Sequence, residues 1–373
     1  MIARKNLLED IPRFLVAQIG ILFAVSLVTI QTGLQSGFTQ STSKLIEQAK
    51  ADLWLADPAL EHIGLTLPLK ESYLTKVKEI SGVAKAEGML LRTTLWQSLP
   101  PVKIAAITLI GAEPQGLLYR GLKAKSGSFA NLNQANSLLV DQASLKALKL
   151  TAIGDRGKVN QSKVQVVGIA TQSQTIVFDN MVFTSLENAR TYLGNLAPIN
   201  YILIKAKPNQ DLEQLRSQLN QISPDLKVFT PTELTQLTQT YWQERSGIGF
   251  ILGLGASVGI VVGIVVVSQI LYASVADHLK EFATLKAMGA SDQFLYRIIL
   301  EQSLWMAILG YIPGMSLCIG LSTWTAASQG ITILITPGSA LIVLAITVIM
   351  CSTSALFAIQ KVMRLDPAIV FKA

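Results

Sequence analysis

Between Arg245 and Asp277 the chain reads SGIGFILGLGASVGIVVGIVVVSQILYASVA, residues 246–276, without one charged side chain. An α-helix rises 1.5 Å per residue, so about 20 mostly apolar residues cross a hydrocarbon layer about 30 Å thick. This stretch is long enough for one crossing. Two more charge-free runs occur at residues 14–43 and 302–360. The last holds two crossings, divided near Ser328-Gln329-Gly330 and Thr336-Pro337-Gly338. Four transmembrane helices are therefore predicted, at residues 14–36, 246–276, 302–327 and 338–360. The connecting pieces are a lead at 1–13, a large polar insert at 37–245, a loop at 277–301, a short loop at 328–337 and a tail at 361–373.

The composition agrees. Of 373 residues, 50% are apolar and 15% charged, against about 25% charged in ordinary soluble domains. Mean hydropathy is +0.44. A soluble enzyme is disfavoured, and so is a disordered chain, since there is ample apolar surface to bury. Residues 44–245 carry 39 of the 55 charges, 22 basic and 17 acidic. The net charge of +7 thus reads as flanking charge on membrane helices plus a mildly basic insert. No basic stripe interleaved with aromatics points to nucleic acid. Both cysteines, Cys318 and Cys351, fall within predicted spans, which leaves the insert without a disulfide.

Orientation follows from Lys and Arg in the short segments. Arg4, Lys5 and Arg13 precede the first span, Lys280, Lys286 and Arg297 lie in the 277–301 loop, and Lys361, Arg364 and Lys372 in the tail, while 328–337 has none. Both termini are then expected in the cytoplasm and the insert outside. The first apolar run exceeds a signal-peptide core of 7–15 residues and has no clear small-residue cleavage site, so it reads as an uncleaved anchor. The lead, broken by Pro12, is expected to lie along the inner membrane face.

The insert reads as mixed α and β. Residues 42–51 extend the first helix outward, 52–56 form a strand ended by Asp57-Pro58, and 70–80 form a helix stopped at Ser81-Gly82. A buried strand is expected at 102–110, and further strands at 163–169 and 175–183 from their near-alternating apolar residues. A helix at 209–222 places Asp211, Glu213 and Arg216 outward and Leu212, Leu215 and Leu219 inward. Another at 232–245 leads straight into the second span. Two helices at the membrane would thus form a stalk under an α/β head.

Several activities lack their residues. There is no G-x-x-x-x-G-K-[ST] phosphate loop. The two histidines, His62 and His278, are predicted on opposite sides of the membrane, which removes His-based metal or triad chemistry. No charged residue lies at mid-depth in a span, where proton relays and ion-coupled carriers need one. If the chain does work, its energy is expected to come from another chain.

The loop Asp277-His278-Leu279-Lys280-Glu281-Phe282-Ala283-Thr284-Leu285-Lys286-Ala287-Met288-Gly289-Ala290-Ser291 is the most informative. It predicts a helix in which Leu279, Phe282, Leu285 and Met288 recur every three residues. Gly289 is expected in a left-handed conformation at its end, with Ser291 capping the next helix. The helix either rests on the membrane surface or docks its apolar stripe into a groove of a cytoplasmic partner. Glu281 and Lys286 are partner contacts on the second reading and a solvated face on the first. Glu301 reads as opening the third span at a helix N-terminus. Gly255 and Gly259 form a small-xxx-small pair suited to dimer packing.

These residues carry a resemblance. From Arg245 onward the chain resembles the MacB/FtsX/LolC superfamily of ABC-transporter permeases. The likeness lies in the Lys-Glu-Phe-Ala-Thr-Leu-Lys-Ala-Met-Gly-Ala-Ser core at 280–291, Glu301, Gly310-Tyr311-Ile312-Pro313-Gly314 and Asp366-Pro367-Ala368. Tyr241-Trp242, the glycine-rich run at 248–255 and Gln269-Ile270-Leu271-Tyr272 look most like the cyanobacterial DevC type. The resemblance implies a MacB-like periplasmic core domain, a homodimer in a bacterial cytoplasmic membrane, and no catalytic or metal site in this chain. It implies a separate ABC ATPase subunit that binds ATP-Mg and docks on Leu279, Lys280, Glu281, Phe282, Thr284, Leu285, Lys286, Met288 and Gly289. It further implies a membrane-fusion protein and a TolC-like outer-membrane channel as partners, with glycolipid or another amphiphile exported. The same fold also serves FtsX-like signalling regulators of external hydrolases and lipoprotein-release permeases. A membrane receptor lacks an output domain here, and an external enzyme lacks any nucleophile–base pair that can be named.

Overall fold

The computed structural model describes residues 11–99, 102–171, 178, 180–245, 247–329 and 333–363. The chain divides into two compact units, one of residues 38–246 and one of residues 1–37 with 247–373.

The chain opens with α1 (Ile11–Gln48). The polar unit then runs β1 (Leu53–Ala56), α2 (Glu71–Lys78), β2 (Val83–Ser98), β3 (Ile104–Ala112), β4 (Lys123–Gly127), β5 (Ser137–Asp141), α3 (Leu145–Leu148), β6 (Arg156–Val159), β7 (Ser162–Thr171), β8 (Met181–Ser185), α4 (Leu186–Leu193), β9 (Tyr201–Ala206), α5 (Leu212–Asn220), β10 (Lys227–Phe229) and α6 (Pro231–Arg245). The strands form one sheet ordered β10-β1-β9-β2-β3-β8-β5-β7-β4, with β6 pairing β2 and β7. Strand β2 spans two halves of that sheet: residues 83–89 pair with β9 and residues 90–97 with β3.

Side-chain alternation explains how β1 is buried on both faces. Leu53 and Leu55 join Ile204, Val77, Leu215 and Leu219 under α2 and α5. Trp54 faces the other way with Leu203 and Phe229, against Leu45 and Ile46 of α1 and Leu234 of α6. Its ring meets Tyr201 edge to face at 5.8 Å, a favoured aromatic geometry. A third core gathers Leu90, Trp96, Leu138, Val182 and Tyr192, where the Trp96 indole N–H donates to Leu148 O at 3.1 Å.

Several expectations need adjustment. The helix of α5 is capped by Asp211, whose Oδ1 accepts from Glu213 N and Gln214 N. Leu215 and Leu219 are buried, but Leu212 sits exposed in the first turn. The extension of α1 stops at Gln48 rather than 51. The strand expected at 175–183 is Met181–Ser185, and residues 175–177 and 179 lie outside the described residues. The helix before the second span does not run straight into it: α6 ends at Arg245, and Gly247 has φ +68° ahead of the next helix.

The second unit contains α7 (Ile248–Asp277), α8 (Leu279–Ala287), α9 (Asp292–Gln329) and α10 (Pro337–Met363). Among the described residues, four helices are long and apolar enough to cross a membrane: Phe14–Gln48, Ile248–Asp277, Gln293–Ala326 and Pro337–Phe357. The protein is thus an α-helical membrane protein with four transmembrane helices and a large α/β domain between the first two. Helix α9 starts ten residues before the expected third span, so Arg297 and Glu301 lie inside it. Glu301 does not cap its N-terminus; its distance from the helix start removes it from the first turn, where the dipole acts. Pro337 opens α10, where its missing N–H costs nothing, and Thr336 and Ser339 exchange hydrogen bonds across that turn, at 2.9 Å and 3.1 Å. The expected lead at 1–13 and tail at 361–373 lie largely outside the described residues.

Candidate functional site

The link between α7 and α9 is an elbow held by local chemistry at both ends. Helix α7 ends at Asp277, and His278 leaves helical geometry at φ −90°, ψ 18°. Helix α8 then ends in a Schellman motif: Ala290 N donates to Leu285 O at 3.0 Å and Gly289 N to Lys286 O at 3.1 Å. That closure requires a positive φ at the residue past the cap, and Gly289 has φ +92°. The next helix starts at once, with Ser291 Oγ accepting from Phe294 N at 3.3 Å, an N-cap bond. The left-handed glycine and the serine cap expected from the sequence are both present.

The apolar stripe divides. Phe282 is 3% exposed and belongs to the core formed by Leu271, Val275, Leu295, Ile298 and Ile299, with Leu285 packed against it. Phe282 therefore anchors α8 to its own unit and offers no ring to an outside groove. Met288 is 71% exposed. It falls with Glu281 and Thr284, both exposed, at i, i+3 and i+7, which is one helix face. Lys286 is half-buried and Gly289 exposed. The side chains of Leu279 and Lys280 lie outside the described ones. The sequence reading did not single out His278. Its Nδ1 lies 3.3 Å from Glu281 Oε2, a contact signalled by the i, i+3 spacing alone.

Gly255 and Gly259 answer differently from the dimer expectation. A Cβ built on Gly255 would lie 2.6 Å from Gln31 Nε2, and one on Gly259 3.0 Å from Leu27 Cδ2. At Gly263 it would strike Met350 and stand 2.9 Å from Ala24 Cβ. These glycines form a groove for α1 of the same chain, so the close approach they allow is already used within it. Helix α9 provides a second groove: a Cβ on Gly310 would meet Ile21 at 2.5 Å and one on Gly314 would meet Val25 at 3.0 Å. Within the chain, Gly255 and Gly259 thus serve the packing of α7 on α1.

Comparison with known proteins identifies two regions. Residues 14–222 match the MacB-like periplasmic core domain, and residues 250–367 the FtsX-like permease C-terminal domain. An ABC transporter permease of Methanocaldococcus jannaschii is 25% identical over 176 residues, 46% of this chain and 43% of that one. An ABC transporter permease of Mycobacterium tuberculosis is 22% identical over 363 residues, covering 94% of this chain and 93% of that one. The macrolide export ATP-binding/permease protein MacB of Bdellovibrio bacteriovorus is 18% identical across 94% of this chain and 58% of its own length. The chain thus spans less than half of the archaeal relative and nearly all of the mycobacterial one. With more than half of its residues in the first match and the permease domain following, the chain belongs to the MacB-like periplasmic core domain family of ABC transporter permeases.

Proposed function

We propose that this chain is the transmembrane subunit of an ABC exporter, working as a homodimer, and that the α7–α8–α9 elbow receives ATP-driven motion from a separate cytoplasmic ATPase. The observation that carries this reading is the elbow itself. Phe282 and Leu285 hold α8 to the membrane unit, while Glu281, Thr284 and Met288 present an open face. A push on that face is then carried by a fixed helix rather than absorbed by a loose loop. The two chain connections into the polar domain differ in kind. Helix α1 is unbroken from Ile11 to Gln48, while the return path has a left-handed glycine at Gly247.

The lack of a phosphate loop supports placing ATP-Mg on the partner, and the printed name of the MacB relative supports export as the task. In this reading both termini and α8 are cytoplasmic, the α/β domain is periplasmic, and the domain engages a membrane-fusion protein and a TolC-like channel in a DevC-type, cyanobacterial pump for an amphiphile such as a glycolipid. Co-purification tests it. The tagged chain, expressed with the ATPase of its own genome, is expected to retain that ATPase, and Met288→Asp is expected to release it while leaving the chain folded. Retention of the ATPase by Met288→Asp together with Thr284→Arg overturns the assignment of this face.

A further inference from the structure

The polar domain holds a cleft of about 370 Å³ whose lining includes His62, Arg92, Thr108, Phe178, Asn200 and Trp242. That volume lies at the low end of ligand pockets, roughly 300–1,000 Å³. It suits a head group with one short chain or ring and is too small for a two-chain lipid. Three polar side chains on its wall are at least nine-tenths buried yet have hydrogen-bonding capacity unused by the described residues. Thr108, 1% exposed, makes no side-chain hydrogen bond to them. Asn200, at 6%, accepts from Leu91 N through Oδ1 at 3.0 Å, and its two amide N–H groups find no such partner. His62, at 9%, accepts from Gly64 N through Nδ1 at 3.1 Å, which leaves Nε2 as the protonated, donating nitrogen of the neutral ring. Burial pushes the His62 pKa down and favours that neutral form.

The unused capacity of these three side chains faces one cleft and consists mainly of donors. Among the described residues no Asp or Glu lines that cleft, and Arg92, the one charged residue among them there, is in no ion pair with a described residue. Aromatic surface completes it: Trp242 packs on His62 with ring centres 5.2 Å apart, and Phe178 lies beside Gly64. Donors and a positive charge select an anionic, oxygen-rich head, while the rings accept an apolar body.

We propose that this cleft binds a small anionic amphiphile, with its head on Thr108, Asn200 and Arg92 and its apolar part along Phe178 and Trp242. Whether the bound molecule is cargo or effector rests on the exporter reading above; the binding itself does not. The test is equilibrium dialysis of the full chain, held in amphipol without lipid or ATPase, against decanoate. The other arms use decyltrimethylammonium and inorganic phosphate. One saturable decanoate site per chain is expected, with Kd raised roughly tenfold by Thr108→Val and by Arg92→Met, the scale of one hydrogen bond or contact to a charged group. Thr108→Val keeps the side-chain shape and Arg92 is exposed, so unchanged thermal unfolding of both variants separates binding from folding; if Thr108→Val unfolds, Arg92→Met alone decides. Binding unchanged in the folded variants overturns the proposal, as does equal affinity for the cation. Phosphate binding as tightly as decanoate overturns the amphiphile and leaves a bare anion site. None of these outcomes touches ATPase docking, so failure here and failure of the exporter reading are distinguishable.

Discussion

Gly289 gives the sharpest test of the elbow, because its backbone and its surroundings make separate demands. A Cβ built there finds no atom within 4 Å, so a side chain meets no steric barrier. Its φ of +92° is costly for an L-residue, about 1–2 kcal/mol. Gly289→Ala should therefore destabilise the Schellman closure by about 1–2 kcal/mol, a factor of roughly 5–30 in favour of other elbow conformations. Gly289→Asn should be milder, since Asn is accepted at this helix-end position. Gly289→Pro fixes φ near −65° and removes the N–H that donates to Lys286 O; a loss of about 3 kcal/mol or more is the scale for such a break. The expected order is Gly, Asn, Ala, Pro, read as permease-stimulated ATP hydrolysis by the reconstituted complex. Thermal unfolding of the polar domain, whose cores lie outside the elbow, should be unchanged across the series. Activity that ranks by side-chain size, with Ala above Asn, would refute a backbone cause. A Gly289→Pro protein that couples normally would refute the rigid elbow.

Three further outcomes follow from packing and charge. Gly263→Val should destabilise the membrane unit more than Gly255→Val, because Gly263 faces Ala24 and buried Met350, whereas Gly255 faces the flexible end of Gln31. Overpacking costs about 1–3 kcal/mol, measurable as loss of resistance to SDS unfolding, and equal effects would argue against the α1 groove. Trp96→Ala removes a fully buried ring that also donates to Leu148 O; the domain should lose about 3–5 kcal/mol, read by its thermal midpoint. Asp155 accepts from Thr151 N, Ala152 N and the Thr151 hydroxyl at 2.6–3.0 Å, and the two backbone N–H donors chiefly hold its carboxyl below the usual range. The folded pKa lies under the unfolded one, so its contribution is present above the unfolded value and disappears as pH falls through the folded one. Asp155→Ala should cost about 1 kcal/mol at pH 7 and nothing once both states are protonated, as denaturant titrations at the two pH values will report.

The membrane helices were legible because desolvation acts on every residue of a span: one charge is enough to mark where a run ends. Span ends were less legible. Charge placed the third span at 302, yet α9 begins at Asp292, because a helix continues past the apolar layer wherever its backbone bonds and cap are satisfied. Helix α5 and β1 were readable from local pattern, whereas β2, β5 and β9 were not. Residues 86–91 of β2 are all buried, Glu87 among them, so the sequence shows no alternation to mark a strand, and its partners β3 and β9 are set by contacts distant in sequence. The elbow was legible for the same reason as α5, since a C-terminal glycine and a serine cap act within a few residues. The inward turn of Phe282 was not. A three-residue apolar repeat says that a helix has a greasy side and leaves open whether that side is covered by its own chain. Asn200 and His62 lie in loops and Thr108 in β3, far apart in sequence, and no local spacing announces the cleft they share.

The interior of the membrane unit bears on how such a chain could work. Between α1, α7 and α10 the space at Ala24, Val28, Ile260 and Met350 is only about 10 Å³, about one water probe. On α10, Thr347 Oγ1 donates to Val343 O at 2.8 Å and Ser354 Oγ to Ile264 O at 3.0 Å. Two glycine grooves close α7 and α9 onto α1. Among the described residues, that space leaves no room for a solute between these three helices. Tight packing does suit the transmission of movement, because close-packed interiors pass strain on rather than absorbing it. Those glycine contacts would thus make the bundle an effective lever between the elbow and α1, which is why the Gly263 and Gly289 variants should both reduce coupling though they share no contact.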